Sequence, residues 1–256
     1  MKCINKWICL SLLIAVSCVS GCGKTSAAIE QPYDVYATAA DFGLSSNGTA
    51  EAKSYFASDL CVSEDVAIGT DSTDSQVAEG AGTFNLETNT VVYAKNLYER
   101  LYPASTTKIL TAYIALKYCD DLDAMVTVSE NAGNQASDSS VCNLKAGDVI
   151  RLRDLLYGLM LRSGNDAAVA IAEYISGDVD SFAALMNQEA AAMGATRSHF
   201  VNPNGLPDEN HYTCVYDMYL IFSNAIKNDT FVSIIGTTSY DVTYTDASGE
   251  AVTHTW

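Results

Sequence analysis

The chain has 256 residues, 48% of them hydrophobic, which is enough for one large domain with a substantial core or for two small ones. Its formal net charge at pH 7 is −17, from 31 acidic and 14 basic residues. Because nucleic-acid binding needs Lys and Arg clustered against phosphates, this balance argues against a nucleic-acid partner.

The N-terminal segment has the pattern of a secretory signal peptide. Lys2 and Lys6 precede an apolar stretch, residues 7–19, and small residues follow it. The apolar stretch is short for a membrane-spanning helix. The residues VSGC, which end at Cys22, are similar to the lipobox of bacterial lipoproteins, in which the cysteine carries a lipid. We therefore expect a lipoprotein signal peptide over 1–21 and a lipid anchor on Cys22. The alternative is an ordinary signal peptide that contains cysteines.

Composition separates a tether from a domain after the signal. Residues 22–57 are rich in Ala, Ser, Thr and Gly and have weak hydrophobic periodicity. Such a segment cannot bury enough apolar surface to fold, so it is predicted to be a flexible tether. Residues 58–256 have regular apolar patterns and are expected to form the folded domain.

The first elements predicted in this domain are two short strands and a helix. The segment AGTFNLETNTVVYAKN, at 81–96, is typical of two strands joined by a turn. An apolar stretch follows Ser105 and predicts a helix that is covered on every side. The residues VTVSE, at 126–130, are predicted to form a further short strand.

Helices dominate the next part of the chain. Apolar residues spaced at i, i+3, i+4 and i+7 predict one helix through 152–160 and another through 168–175. The residues RSGND separate them, with Asp166 as the expected helix cap. Further helices are predicted at 181–194 and 216–226. The residues SYDVTYTDASGEAVTHTW close the chain as a hairpin, so helices lie between early and late strands, which favours an α/β or α+β layered domain.

The cysteines and histidines do not form a recognisable metal site. Four of the eight cysteines lie in the predicted signal; those that remain are Cys61, Cys119, Cys142 and Cys214. Four cysteines allow three pairings, and the sequence does not choose among them. Because there is no C-x-x-C pair and the three histidines are scattered, we expect no metal and no cofactor.

Ser105 and Lys108 form a Ser-x-x-Lys pair at the start of an apolar helix. A serine hydroxyl is a weak nucleophile that needs a base, and a lysine three residues later lies on the same helix face. Burial lowers the pKa of a lysine and enables it to act as a base. The helix N-terminus adds free backbone N–H groups for an oxyanion. The alternative is that Ser105 caps the helix while Lys108 extends to water.

The residues SGN, from Ser163 to Asn165, are a second candidate element. The triplet Ser-x-Asn also begins at Ser45 and Ser129, so it is not specific by itself. Only Ser163 follows one strongly apolar helical pattern and precedes another, where a polar turn would face a cleft. The alternative is that Ser163 and Asn165 only cap the helix pair.

Together these residues resemble a known family. The stretch YPASTTK, with SGN inside DLLYGLMLRSGNDAA, closely resembles the low-molecular-weight penicillin-binding proteins, the serine D-Ala-D-Ala carboxypeptidases. The resemblance continues through NLKAGD, MNQEAAAMGATRSHFVNPNGL and HYTCVYDM, and it covers about Cys61 to the C-terminus. It implies the fold of the β-lactamase/DD-peptidase superfamily, an antiparallel sheet flanked by helices.

The resemblance also implies roles for individual residues. Ser105 would form an acyl-enzyme and Lys108 would be its general base. Ser163 would relay a proton to the leaving D-alanine, and Asn165 would orient the substrate amide and Lys108. The implied substrate is a peptidoglycan stem peptide ending in D-Ala-D-Ala, the implied inhibitors are β-lactam antibiotics, and the implied location is outside the cytoplasm on a lipid-anchored protein.

One family motif does not occur at its place in this chain. The motif set is Ser-x-x-Lys, Ser-x-Asn and Lys-Thr-Gly, and no Lys-Thr-Gly follows Asn165. In the family its lysine binds the substrate's terminal carboxylate, and its strand supplies an oxyanion donor. We therefore expect a C-terminally truncated catalytic domain that lacks later core strands, and a 256-residue piece that binds penicillin poorly.

Two other functions stay open. A serine β-lactamase would use the same acylation, although no Glu-x-x-Leu-Asn follows SGN as the deacylating element of one lactamase class. A non-catalytic, cell-wall-binding lipoprotein would keep the fold without its third motif. A Lys-Thr-Gly downstream in the gene would favour the enzyme.

Overall fold

A computed structural model of the protein describes residues 57–69, 78–136 and 138–256. The predicted signal peptide, nearly all of the predicted tether and the lipidation candidate Cys22 lie outside the described residues. Within them, Leu60–Trp256 form one compact unit. None of the described helices has the length and apolar character that a membrane span requires.

The first two strands form a hairpin, as predicted. β1, Ala81–Asn85, pairs antiparallel with β2, Thr90–Lys95, and a bulge interrupts the register after Thr83. The side chain of Asn85 accepts two backbone N–H groups of the turn. Asn89 has a φ of 51°, a left-handed conformation that asparagine tolerates better than most residues.

The remaining described strands form an antiparallel sheet in the order β3-β4-β5-β6. These strands are β3, Met125–Thr127; β4, Val149–Arg151; β5, Asp241–Thr245; and β6, Ala251–Thr255. The predicted terminal hairpin is confirmed, and the carboxylate of Asp246 accepts backbone N–H groups from Ser248 and Glu250 in its turn. Mixed helices and an antiparallel sheet confirm the predicted fold class.

Helices pack around the sheet. In the described ranges they are α1, Thr107–Tyr118; α2, Glu130–Gly133; α3, Leu152–Leu161; α4, Asn165–Ser176; α5, Val179–Ala192; α6, Val215–Ala225; and α7, Asp229–Ile235. The sequence analysis did not predict α7, whose signal is Asn228, a cap that accepts N–H groups from Thr230 and Phe231.

Helix α1 lies at the centre of the core. On one side Leu110 and Ile114 pack among buried residues of α5, including Phe182 and Met186. On the other side its alanines join the larger cluster formed by α3, α4 and the sheet. Since apolar neighbours surround the helix, a polar side chain in its first turns is removed from water, which is the property that the candidate site requires.

Two local predictions are wrong. The strand expected at 126–130 ends at Thr127, because Ser129 caps α2 by accepting the backbone N–H of Ala132. Asp166 is not the cap of α4, since Gly164 occupies that position; the Asp166 side chain is buried and accepts backbone N–H groups from the preceding loop. The four cysteines Cys61, Cys119, Cys142 and Cys214 are free thiols.

Candidate active site

Ser105 lies in a short 3-10 turn, Ala104–Thr106, directly before α1, and its side chain is exposed. The turn is strained at Ala104, which has a φ of 47°. Gly205 packs against it with a φ of 87°, and a Cβ there would lie 1.8 Å from the Ala104 carbonyl oxygen. Only glycine fits this position, so Gly205 determines how closely its loop approaches the Ser105 turn.

Lys108 is the second residue of α1 and is only 2% exposed. Its Nζ donates to Ser105 Oγ at 3.2 Å, to Asn165 Oδ1 at 2.8 Å and to the carbonyl oxygen of Asn204 at 2.7 Å. These three bonds use all the donors of an ammonium group. The alternative in which Lys108 extends to water does not describe the structure.

The pKa of Lys108 is lowered to about 8, because burial disfavours its charged form. At pH 7 roughly a tenth of the molecules would therefore carry a neutral amine. The nearby carboxylate of Asp166 acts in the opposite direction and raises the pKa of Lys108, whereas the Cys142 thiol is itself neutral because burial raises its pKa. A lysine in this state can accept a proton from Ser105, as the sequence analysis required.

Ser163 and Asn165 lie at the turn between α3 and α4. Ser163 has a φ of 54°, and its Oγ donates to Ser105 Oγ at 2.9 Å. Asn165 begins α4, is 5% exposed and accepts from Lys108. The structure thus brings together Ser105, Lys108, Ser163 and Asn165, and the catalytic roles assigned to them stay a prediction.

The other Ser-x-Asn triplets do not lie in this site. Ser129 caps α2 and donates to Glu173, which is a structural contact. Ser45 lies outside the described residues. Of the two triplets within the described residues, only the one that begins at Ser163 contacts Ser105.

The sequence did not indicate that the loop at 201–206 contacts Lys108. Its Asn204 carbonyl accepts from Lys108, and its Pro203 carbonyl accepts from Thr111 Oγ1 at 2.6 Å. Asn202 Oδ1 accepts the Gly205 N–H at 2.7 Å and closes the loop on itself. The turn residues NPNG were visible in the sequence, but a backbone carbonyl carries no signature of what it binds.

His211 is the second residue that was missed. It is 1% exposed, and its Nδ1 accepts the backbone N–H of Val201 at 3.1 Å. A backbone N–H can only donate, so Nε2 carries the proton and donates to Thr107 Oγ1 at 2.9 Å. Burial lowers the pKa of His211 to about 4, which leaves it neutral at pH 7. His211 thereby ties the 201–206 loop to the first turn of α1.

A cavity of about 170 Å³ opens beside Ser105. It is lined by Ala104, Ser105, Ser139, Ser140, Asn165, Asn204, Gly205 and Leu206. A larger cavity of about 410 Å³ lies between β1, α1 and α6, but its lining is mostly apolar and includes none of the predicted site residues. In the part of the chain that the structure describes, no three His, Cys, Asp or Glu side chains are grouped to hold a metal ion.

The arrangement is suited to nucleophilic acyl transfer. A serine at a helix N-terminus is exposed to a cavity, a buried lysine of lowered pKa contacts its oxygen, and a second serine contacts the same atom. The positive end of the α1 dipole lies near Ser105 and favours negative charge developing there. Asn165 and the Asn204 carbonyl fix the position of the lysine.

Comparisons with known proteins agree with this chemistry. A family model described as D-alanyl-D-alanine carboxypeptidase matches residues 69–253. D-alanyl-D-alanine carboxypeptidase DacF of Bacillus subtilis is 35% identical over 164 residues, which is 62% of this chain and 42% of DacF. The D-alanyl-D-alanine carboxypeptidase of Streptomyces strain K15 is 36% identical over 189 residues, 70% of this chain and 65% of that protein.

Solved structures show the same likeness. A mutant of the Streptomyces K15 DD-transpeptidase superposes with a TM-score of 0.67 at 35% identity, over 70% of this chain and 73% of that one. The D-alanyl-D-alanine carboxypeptidase DacD of Francisella tularensis gives a TM-score of 0.64 at 33% identity, over 75% of this chain and 46% of that one. The match to the family model extends over well more than half of the chain, and the chain belongs to the D-alanyl-D-alanine carboxypeptidase family.

Proposed function

We propose that the protein is a serine-type D-Ala-D-Ala carboxypeptidase that removes the terminal D-alanine of peptidoglycan stem peptides. The observation that carries this proposal is the contact between Ser105 and a buried lysine whose pKa is lowered to about 8. Family membership supports the same reaction, although the chain spans only 42% of DacF and 65% of the Streptomyces relative.

The first half of the reaction forms an ester on Ser105. Neutral Lys108 takes the hydroxyl proton while Ser105 Oγ bonds to the carbonyl carbon of the penultimate D-alanine. The tetrahedral intermediate collapses, and the peptide C–N bond breaks. The leaving amine takes a proton from Ser163, whose Oγ lies 2.9 Å from Ser105 Oγ and therefore beside the scissile bond, and Ser163 is reprotonated by the ammonium of Lys108.

The second half returns the enzyme to its starting state. A water molecule gives a proton to Lys108 and attacks the ester carbonyl, and the Ser105–acyl bond breaks with the proton returned to Ser105 Oγ. The shortened stem peptide then leaves. Asn165 holds Lys108 through both halves, because its amide oxygen accepts from Nζ at 2.8 Å.

The same serine accounts for inhibition by β-lactams. Attack on a β-lactam carbonyl opens the ring, and the leaving nitrogen stays attached to the acyl group. Since the leaving group cannot diffuse away, we expect a persistent adduct on Ser105. A β-lactamase would instead release the hydrolysed drug quickly, so the lifetime of the adduct separates the two functions.

Labelling by a fluorescent penicillin tests the nucleophile. The protein, expressed with its complete coding sequence, should be labelled, and mass spectrometry of its peptides should place the adduct on Ser105. Ser105→Ala and Lys108→Ala should both lose labelling by about three orders of magnitude, because an unactivated serine reacts hardly better than none. Release of D-alanine from a synthetic pentapeptide should fall in parallel. An adduct on another residue, or fast labelling of Lys108→Ala, would contradict the assignment.

We also propose that the protein is held on the outer side of the cytoplasmic membrane by a lipid on Cys22. The support is the charged, apolar and small-residue order of the N-terminus and its VSGC ending. Membrane fractionation of a Cys22→Ala variant tests this. The variant should leave the membrane fraction; a variant that stays bound like the parent would assign anchoring to the uncleaved apolar segment.

A further inference from the structure

A buried carboxylate behind the site has no part in the mechanism above. Asp166 follows Asn165 in the first turn of α4 and is 1% exposed. Its carboxylate accepts the backbone N–H of Cys142 at 2.9 Å and that of Leu144 at 3.0 Å. These hydrogen bonds fix the position and orientation of the carboxylate.

These bonds hold one wall of the reaction cavity, the 138–144 loop. Ser139 and Ser140 of this loop line the cavity beside Ser105. The backbone N–H of Asn165 donates to the Ser140 carbonyl at 2.8 Å, so hydrogen bonds run from the loop to the start of α4 and from α4 to the loop. A shift of the loop would therefore move Asn165, and with it the amide oxygen that holds Lys108.

The charge of Asp166 also acts on Lys108. The titratable groups around Lys108 and Asp166 are Cys142, Asp148, Arg162 and Tyr244. Burial raises the pKa of the Cys142 thiol far above its usual range, and that of Tyr244 to about 12, so both are neutral. Asp166 is thus the charged group that opposes the effect of burial on the pKa of Lys108.

We propose that Asp166 is a positioning residue that holds the 138–144 loop against the Ser163–Asn165 turn and sets the pH range in which Lys108 acts as a base. The proposal rests on the function proposed above for Lys108. It assigns a role to a residue that touches neither the substrate nor the reacting atoms.

The pH profile of penicillin acylation tests it in an Asp166→Asn variant. The rate should rise with pH as Lys108 loses its proton, with a midpoint near 8 in the parent. Removing the negative charge makes the ammonium less stable, so the midpoint should move to lower pH by about half a unit to one unit. The plateau rate should also fall about tenfold, because the loop loses its ties. An unchanged or raised midpoint would overturn the proposal.

Asp217→Asn is the matched control. Asp217 is also buried in the first turn of a helix, α6, and accepts a loop N–H, that of Arg197 at 2.8 Å. It is not among the groups that shift the pKa of Lys108. A general loss of stability should therefore appear in both variants, whereas the midpoint should move only in Asp166→Asn. An equal shift in the control would overturn the proposal.

NMR of the Lys108 side chain separates this proposal from the proposed function. A ¹³C and ¹⁵N titration reports the pKa of Lys108 without any acylation. If penicillin does not acylate the parent protein, the proposed function fails, and the titration still shows whether Asp166→Asn lowers the pKa. A pKa equal to that of the parent would overturn the role of Asp166.

Asp166→Glu keeps the test decisive if Asp166→Asn does not fold. The charge is kept, so the midpoint should stay within about 0.3 units of the parent, but the longer side chain displaces the loop and lowers the plateau rate. A plateau rate equal to that of the parent would show that the placement of the carboxylate is not needed, which also overturns the proposal.

Discussion

Two loops enclose Lys108, and they are held in place by different kinds of interaction. The 138–144 loop is bound by the buried carboxylate of Asp166. Apart from the Asn204 carbonyl, which accepts from Lys108 itself, the 201–206 loop is bound by neutral groups: Thr111, His211 and the close approach of Gly205 to Ala104. The carboxylate that binds the first loop also changes the pKa of Lys108, whereas the neutral groups that bind the second loop only determine its position. Mutations that disturb the 138–144 loop should therefore change both the rate of acylation and its pH dependence. Mutations that disturb the 201–206 loop should change the rate of acylation and the stability of the protein.

The largest effect is expected from Gly205→Ala. The new Cβ would meet the backbone of Ala104 at 1.8 Å, and a φ of 87° is strained for alanine. Backbone cannot move aside, so the variant should lose more than about 3 kcal/mol of unfolding free energy and nearly all acylation. Denaturant unfolding measures the free energy of unfolding, and penicillin labelling measures the acylation.

The counterpart beside the 138–144 loop is Gly164→Ala, in the turn that precedes α4. Its Cβ would lie 2.4 Å from Cys142 Sγ, a side-chain atom, and the backbone of Gly164 is not strained. The double variant Gly164→Ala/Cys142→Ala should regain part of the lost stability, while no single side-chain deletion should rescue Gly205→Ala. Equal losses in the two glycine variants, with no rescue, would remove this distinction between the loops.

His211 should make the stability of the folded protein depend on pH in the acidic range. Its folded pKa of about 4 lies below the ordinary value of 6.5, so the unfolded chain binds its proton first as the pH falls. The contribution to stability is complete above pH 6.5 and is lost as the pH falls toward 4, by about 3 kcal/mol in total. In His211→Gln this loss should be absent. Thermal unfolding of both proteins across this range measures the difference, and parallel pH curves would contradict it.

The smallest effect is expected from Thr111→Val. Valine has a similar shape but leaves the buried Pro203 carbonyl without the donor that now lies at 2.6 Å. The cost should be about 1 kcal/mol, with no change in the pH midpoint of acylation. Chemical denaturation measures the loss of stability, and the pH profile of acylation gives the midpoint. A shifted midpoint would show that the 201–206 loop also acts on the charge of Lys108.

The sequence was sufficient for the parts of the site that depend on local spacing. A serine and a lysine three residues apart at a helix start must lie on one face, and a polar turn between two apolar helices can reach a cleft, so Ser105, Lys108, Ser163 and Asn165 could be named as candidates. The family resemblance supplied the roles predicted for them. The contacts of Asn204, Asp166 and His211 could not, because they join segments far apart in the chain or use backbone atoms. The separation from Lys108 to Asn204 is 96 residues. Asp166 was mistaken for a cap because aspartate is frequent both at the N-cap and in the first turn of a helix.

The three hydrogen bonds of Lys108 also determine which neighbouring group can give a proton to its neutral amine. A neutral amine has two hydrogens and one lone pair, but three oxygens surround Nζ. The Asn204 carbonyl and the Asn165 amide oxygen have no hydrogen to offer, so they take the two that the amine has left. The lone pair must then point at Ser105, whose hydroxyl is the remaining partner and accepts in turn from Ser163. The direction of proton transfer is thereby settled by the valence of the surrounding atoms before any substrate arrives.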